Sequence, residues 1–225
     1  MMMNLFSTFD PSTSMMFSMN WLSTMIFLIL FPMSFWMIPN MKNMLINLII
    51  NKLILEFKTL LNSKNFNMII FFISLFIFIV MNNLMGLLPY IFTSSSHMIF
   101  SMTLSLSLWI SLMLFGWMNN SKHMFIHLIP MGTPLMLTPF MVCIETISNI
   151  IRPISLSVRL TANMIAGHLL MSLLGNNLIE MNFLMMIMII IQIMLMMFEF
   201  AVAMIQAYVF SILSTLYSNE VIYEK

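Results

Sequence analysis

Ionisable and amide side chains recur every seven residues in the two longest apolar tracts of the sequence. In the first tract they are Glu145, Arg152 and Arg159, and in the second they are Gln192, Glu199 and Gln206. Seven residues at about 100° each complete nearly two turns of an α-helix, so each set shares one helix face. Carboxylates can gain and lose protons, whereas the charge of an arginine is permanent. The two sets therefore predict a proton relay beside a fixed positive charge.

Both arginines of the protein, Arg152 and Arg159, lie in the first of these tracts. Placing an arginine at the centre of a bilayer costs about 2.5–3.5 kcal/mol on insertion scales. Two structural explanations remain open for each residue: the side chain extends to the membrane surface, or it forms an ion pair between helices. The functional interpretation is that these charges mark an ion path, as intramembrane ionisable residues usually do.

Two further polar residues follow Arg159 in the same tract. Asn163 lies one turn later on nearly the same face, and His168 lies nine residues later on nearly the opposite side. If the two tracts fold as a hairpin about positions 178–179, Arg159 lies roughly level with Glu199. The alternative is that the polar side chains only join packed helices, at about 0.6 kcal/mol per hydrogen bond. This alternative suits the amides best.

The composition requires lipid as the solvent for most of the chain. Of 225 residues, 61% are hydrophobic and only 7% are charged, whereas soluble domains carry roughly 25% charged residues. A net charge of +1 gives no sign of nucleic-acid binding, and the single Cys143 excludes an intrachain disulfide. The 32 methionines, with abundant Ile, Asn, Phe and Leu, indicate an AT-rich animal mitochondrial genome that reads an isoleucine codon as methionine.

The order of apolar and polar segments predicts an all-α membrane protein that forms a single domain over residues 1–225. We expect about five membrane-embedded helices and one interfacial amphipathic helix. The embedded helices are predicted over 15–38, 68–88, 98–118, 138–175 and 182–217, the interfacial helix over 41–64 and a loop over 119–137. A perpendicular crossing needs only about 20 residues, so the last two helices must form a strongly tilted antiparallel hairpin.

Residues 41–64 differ from the spanning segments because they carry four lysines and Glu56. Their apolar residues follow a three- to four-residue spacing and therefore share one helix face: Ile46, Ile49, Ile50, Leu53, Phe57 and Leu60. This arrangement is typical of a helix that lies in the membrane interface. The alternative is a helix that docks against a partner subunit.

The placement of lysines predicts the orientation of the chain. The interfacial segment and the loop near position 122 carry lysines, whereas the loop near 90–97 and the turn near 176–182 carry none. Counting crossings places the N-terminus on the lysine-poor side and the C-terminus on the lysine-rich side. In a mitochondrion the lysine-rich side is the matrix, so the N-terminus is predicted to face the intermembrane space.

Two other functions are compatible with a chain of this composition. A self-contained secondary transporter needs paired repeats and broken helices around a midplane site, and the sequence shows no internal repeat. A haem- or copper-binding respiratory subunit needs several convergent ligands, but there are only four histidines, and His123 and His127 lie in the predicted loop. We therefore expect neither a metal nor a cofactor.

Four segments resemble the signatures of the subunit a family of rotary ATP synthases, which form the stator proton channel. They are Ser157–His168 (SVRLTANMIAGH), Glu199–Phe210 (EFAVAMIQAYVF), Gly86–Thr93 (GLLPYIFT) and Phe140–Ser148 (FMVCIETIS). The resemblance extends over nearly the whole chain, including Phe9–Thr13 (FDPST), and is strongest to the mitochondrially encoded arthropod form. The methionine content and a longer charged end, Asn219–Lys225, are the unusual features.

The resemblance implies a proton-translocating stator subunit that works within the ATP synthase complex and is not an enzyme on its own. Its implied partners are the c-subunit ring, a peripheral-stalk b-type subunit, other small membrane subunits and lipid, with no nucleic acid. The implied location is the mitochondrial inner membrane. Arg159 would face the ring between two aqueous half-channels, where it favours the ionised ring carboxylate and blocks direct proton leakage.

The resemblance also assigns roles to the remaining polar residues. The implied proton-translocating set is Arg159, His168, Glu199, Glu145, Asn163 and Gln206, with Arg152 and Gln192 as supporting polar residues. Within this set, His168 and Glu199 resemble relay residues on the intermembrane side, and Glu145 matches a residue near the matrix exit. The two remaining members, both amides, would contact the arginine or order water.

Overall fold

A computed structural model describes residues 5–14, 17–30, 37–61, 66–119, 121–129, 134–178 and 185–222. Within these ranges the regular structure is entirely helical, without a strand. Four of the described helices are long and apolar enough to cross a membrane: Asn67–Gly86, Met98–Asn119, Leu135–Asn176 and Met185–Val221. The predicted fold class, an all-α membrane protein, is confirmed.

The described residues form seven α-helices. They are α1 (Ile26–Leu30), α2 (Met41–Leu60), α3 (Phe66–Gly86), α4 (Met98–Asn119), α5 (Ser121–His127), α6 (Thr138–Leu178) and α7 (Met185–Ile222). A 3-10 helix over Met19–Met25 leads directly into α1. Residues 15–16 and 31–36 of the first predicted span, 15–38, lie outside the described residues, so its full length stays a prediction.

The loop predicted over 119–137 is wrong in its middle, where α5 forms. This helix packs against α4, and the rings of Trp117 and Phe125 meet edge to face with centroids 4.7 Å apart. A helix of seven residues is too short to be stable alone, so a tertiary aromatic contact outweighs the polar local sequence. The loop prediction rested on three residues that interrupt helices, Pro130, Gly132 and Pro134, of which the first two lie outside the described residues.

The apolar core lies where α3 packs against α2 and α7. Its buried side chains include Leu53, Phe57, Leu61, Ile69, Phe72, Phe76, Ile79, Leu160, Ala207 and Phe210. The predicted amphipathic face of α2 is largely confirmed, because its lysines are exposed and two of its apolar residues enter this core. Ile49 is the exception, at 52% exposure.

Small hydroxyl residues line the contacts between the hairpin and α4. The buried ones are Ser101, Ser105, Ser157, Thr161, Ser211, Ser214, Thr215 and Ser218. Each hydroxyl donates to a carbonyl three residues earlier in its own helix. These bonds satisfy the buried hydroxyls, and small side chains let the helix axes approach closely.

The hairpin helices are longer than predicted, with 41 residues in α6 and 38 in α7. At about 1.5 Å per residue they extend roughly 60 Å, about twice the thickness of the hydrocarbon core. The α-helix continues through Pro153. The predicted strong tilt of the hairpin in the membrane follows from this length and stays a prediction.

The first and last described segments lie at opposite ends of the bundle. Residues Ser7–Asp10 lie beside the loop that joins α3 to α4. At the far end of α4, an added Cβ on Gly116 would lie 3.0 Å from Val221 in the last turn of α7. This arrangement agrees with termini on opposite membrane sides, and their assignment to compartments stays a prediction.

Candidate functional site

A cavity of about 580 Å³ opens between the N-terminal segment, the loop after α3 and the end of the hairpin nearest its turn. Its polar lining includes Asp10, Asn20, His168, Ser172, Gln192 and Glu199. Three residues singled out in the sequence therefore meet at one cavity, from two different helices. Gln192, expected only as a supporting amide, lines the same wall as Glu199.

Polar atoms at the cavity are buried without a protein partner. Within the described part of the chain, neither Nε2 of His168 nor Oε1 of Glu199 has a hydrogen-bond partner. Buried polar atoms are almost always satisfied by protein or by ordered water, and the cavity is roomy and polar enough to hold water. The cavity is therefore suited to a water-filled path along which protons can move.

Gly167 leaves room for the Glu199 carboxylate against α6. A Cβ added to Gly167 would lie 2.6 Å from Cδ of Glu199 and 2.8 Å from each carboxylate oxygen. Only glycine leaves this room for a side chain on the facing helix. Because His168 is the next residue, the close approach sets the imidazole and the carboxylate near the same level of the hairpin.

A second cavity, of about 370 Å³, continues from Glu199 along the hairpin. Asn163 and Gln206 line it, and Nδ2 of Asn163 donates a hydrogen bond of 2.6 Å to Oε1 of Gln206. Glu199 and Leu87 line both cavities. The two cavities thus connect one carboxylate, Glu199, with an amide pair whose Asn163 member is exposed, while the rest of the second cavity is lined by apolar residues and Gly167.

Arg159 is exposed on α6, one turn before Asn163. Among the described residues no carboxylate lies within ion-pair distance of its guanidinium, and no hydrogen bond from its side chain is formed. Among the described residues Asn163 and Gln206 bond to each other, and the expectation that these amides contact Arg159 or order water stays a prediction. No described side chain occupies the guanidinium, which is exposed toward the outside of the chain.

The register predicted for the hairpin is also wrong. Folding about positions 178–179 would place Arg159 level with Glu199, but Glu199 faces Gly167 and Gln206 faces Asn163. The mean of 167 and 199 is 183, so α6 extends further before the chain reverses. At about 1.5 Å per residue, Arg159 and Glu199 lie roughly 12 Å apart along the hairpin when counted from the Gly167–Glu199 contact, and roughly 16 Å when counted from the amide pair.

The other end of the hairpin carries an ion-pair cluster. Nη1 of Arg152 lies 2.8 Å from Oε2 of Glu220, and Nη2 lies 3.9 Å from Oε1 of Glu145. The guanidinium also lies 5.0 Å from the centre of the Tyr217 ring, a cation–π distance. Of the two explanations left open for Arg152, the interhelix ion pair is confirmed.

Glu220 was not predicted as a site residue, because it lies in the charged end Asn219–Lys225, which was interpreted as a tail. A signal was present: the seven-residue series through Glu199 and Gln206 reaches Glu220 after two further steps, with Leu213 between them. A second missed contact joins α2 to the hairpin, where the hydroxyl of Tyr208 donates a hydrogen bond of 3.0 Å to Oε2 of Glu56.

His97, in the loop between α3 and α4, takes part in aromatic packing. His97 stacks on Phe92 at 5.1 Å and lies 5.3 Å from the Trp21 ring. Among the described residues no three His, Cys, Asp or Glu side chains lie close enough together to hold a metal ion.

Comparison with known proteins gives a consistent result. The family model of the ATP synthase A chain matches residues 14–219. The chain is 56% identical over 223 residues to ATP synthase subunit a of Drosophila melanogaster, and 56% identical over 225 residues to that of Anopheles quadrimaculatus. It is 57% identical over 224 residues to that of Locusta migratoria. Each alignment covers 98% of this chain and 100% of the relative.

Proposed function

The chain belongs to the ATP synthase A chain family and is the proton-channel stator subunit of the ATP synthase complex; on this premise we propose that protons cross it through two aqueous half-channels separated by Arg159. One observation carries the proposal. Among the described residues Arg159 is exposed and unpaired. On one side of it lies the first cavity, where buried atoms of His168 and Glu199 lack a partner among the described residues, and on the other side lies the Arg152–Glu220 ion pair.

The entry half-channel is assigned to the two cavities near the turn. Protons reach His168 and Glu199 from water in the first cavity and pass along the second cavity to the amide pair. Both ionisable groups can change protonation state, which an amide cannot. The amides order water at the point where the route reaches the exposed face of α6.

Arg159 holds a positive charge on that exposed face. A guanidinium keeps its charge on burial, whereas a lysine can lose its proton. The charge favours the ionised form of a carboxylate carried past it by the c-subunit ring, and it repels protons that would cross directly between the half-channels. The energy available is about 2.3 kcal/mol per charge for each 100 mV of membrane potential.

The exit half-channel is assigned to the open end of the hairpin. Glu145 lies on the same helix face as Arg159, two heptads before it, and 3.9 Å from Arg152. Arg152 is in turn held by Glu220. We assign proton release to Glu145, and we assign to the Arg152–Glu220 pair the structural role of joining the two helices beside it.

The proposal extends to partners and location. The c-subunit ring covers the face that carries Arg159, and a peripheral-stalk b-type subunit, other small membrane subunits and lipid cover the remaining faces. The complex lies in the mitochondrial inner membrane, with the N-terminus toward the intermembrane space and the C-terminus toward the matrix. The chain conducts protons without itself catalysing ATP formation, and no step requires a cofactor.

Replacement of Arg159 tests the proposal most directly. In the complete complex, Arg159→Ala is expected to lower ATP-driven proton pumping at least about 100-fold, because the charge that separates the half-channels is lost. Arg152→Gln is the matched control, since it removes an arginine one heptad away whose charge already serves Glu220, and it should retain most of the pumping. Pumping by Arg159→Ala at a rate near that of the wild type would refute the assignment.

A further inference from the structure

The N-terminal segment forms the mouth of the first cavity. Residues Ser7–Asp10 line it together with Asn20, opposite His168 and Glu199. The ring of Phe9 meets the imidazole of His168 edge-on, with centroids 6.2 Å apart. The next residue, Asp10, therefore stands at the opening of the cavity that leads to the relay groups.

Asp10 is held in place by local hydrogen bonds. Its Oδ1 accepts bonds of 3.0 Å from the backbone N–H and 2.7 Å from the hydroxyl of Ser12, and its carbonyl accepts 3.1 Å from Nδ2 of Asn20. Both Ser12 bonds use the same carboxylate oxygen. The other oxygen remains available to water at the cavity mouth.

The charges around this mouth are negative or neutral. The hydrogen bonds from the Ser12 side chain and backbone lower the pKa of Asp10 below its ordinary value, so the carboxylate is ionised near neutral pH. The other titratable groups lining the cavity are Tyr90 from the loop, His168 from α6 and Glu199 from α7. Among the described lining residues there is no lysine or arginine.

We propose that Asp10 is a proton-collecting residue, whose fixed negative charge at the cavity mouth raises the local proton concentration that supplies His168 and Glu199. A cleft lined by one sign of charge concentrates counter-ions and speeds their arrival. The proposal rests on the assignment of this cavity as the entry half-channel. Asp10 acts by its charge and takes no part in the transfer between helices.

The test uses the complete complex in proteoliposomes, with ATP synthesis measured while the pH on the entry side is varied. At an ionic strength of about 0.01 M, Asp10→Asn is expected to lower the rate about threefold near neutral pH. The pH of half-maximal rate should fall by about half a unit, because a higher bulk proton concentration is needed. The maximal rate in acid should be unchanged, and the difference should disappear at about 0.3 M salt.

Three variants separate charge from loop structure. Asp10→Glu retains the charge and should restore the rate, and Ser12→Ala removes a hydrogen bond to Asp10 but should keep most of the rate. Ser12→Asp adds a second charge beside the mouth and should raise the low-salt rate about twofold. If the complex with Asp10→Asn fails to assemble, the low-salt rate of Ser12→Asp alone still tests whether charge at the mouth matters.

Two outcomes would overturn the proposal. A loss in Asp10→Asn that is equal at every pH and salt concentration would show a structural role. Wild-type rates at low salt in both Asp10→Asn and Ser12→Asp would show that the charge is irrelevant. Either result leaves the channel assignment standing if Arg159→Ala abolishes pumping, whereas pumping by Arg159→Ala would refute the channel itself.

Discussion

At the open end of the α6–α7 hairpin Arg152 lies 2.8 Å from Glu220, whereas near the turn His168 and Glu199 face a cavity with buried atoms that lack a partner in the described chain. Both ends use ionisable side chains at seven-residue spacing on the same two helices. The sequence pattern is therefore alike at the two ends, and the difference between them lies in pairing.

Because of this difference in pairing, the Arg152–Glu220 pair is suited to holding a charge, and His168 and Glu199 are suited to transferring a proton. A carboxylate beside an arginine is favoured in its charged form, so the Arg152–Glu220 pair at the open end suits a fixed clamp between helices, beside the Glu145 carboxylate to which proton release is assigned. An imidazole and a carboxylate facing water can change protonation without breaking an ion pair, so the end near the turn suits a relay. Arg159 lies between the two ends, and within the described part of the chain it has a partner at neither.

Among substitutions at the two ends of the hairpin, the largest effect is expected from filling the space beside Glu199. Gly167→Ala should lower proton flux at least about tenfold, because the carboxylate 2.6–2.8 Å from the new Cβ must move, and small displacements of reacting groups carry large rate penalties. Proton flux and the amount of assembled complex are measured together. Adding Glu199→Asp, which shortens the side chain, should recover part of the lost flux.

Gly175→Ala is the matched control for this substitution. Gly175 lies in the same helix, and a Cβ there would meet nothing within 4 Å. Flux should be unchanged and α6 slightly stabilised, since alanine is favoured over glycine in a helix by about 0.5–1 kcal/mol. Equal losses from the two substitutions would mean that the space next to Glu199 has no special role.

An intermediate effect is expected at the paired end. Glu220→Gln should lower the thermal midpoint of the solubilised complex by about 2 °C, since a partly exposed ion pair contributes at most about 1 kcal/mol. Proton flux should change less than about twofold, because the pair holds the helices and does not carry the proton. The double variant Glu220→Gln with Arg152→Gln should be about as stable as the less stable of the two single variants, because both substitutions remove the same ion pair. Additive losses of stability would contradict the pairing.

The smallest effect is expected where α2 meets the hairpin. Tyr208→Phe removes the hydrogen bond to Glu56, and because both side chains are exposed the loss should be a few tenths of a kcal/mol. Trypsin cleavage after Lys58, on the same helix, should accelerate by up to about twofold. Glu56→Gln should add little in the Tyr208→Phe background, and an additive increase would show that the two residues act separately.

Long apolar segments were predictable because their length and spacing are local properties. The helices predicted over 68–88 and 98–118 match α3 and α4 within two residues. Of the heptad series, Gln192 and Glu199 line one cavity beside the hairpin. The segment of α5 was mispredicted because a contact between Trp117 and Phe125 outweighs its polar sequence.

The position of the turn was not predictable from spacing alone. Seven-residue periodicity fixes which side chains share a face, but a slide of one helix along the other leaves that face unchanged. The structure shifts the register by several residues, so that Glu199 meets Gly167 and Arg159 lies eight residues, or roughly 12 Å, from Glu199 along the hairpin. The spacing predicted Arg159 and Glu199 at the same level of the hairpin, and the observed register separates these two residues.

By itself the sequence determined that the chain is helical and embedded in lipid, that its polar residues share faces, and that a permanent charge accompanies titratable groups. These properties follow from composition and periodicity. Only the tertiary structure decided that, among the described residues, Arg152 is paired and Arg159 is not, and that Asp10 and His168 line one cavity. These contacts join residues that are far apart in the sequence. They depend on how whole helices pack together, and a local sequence pattern carries no information about that packing.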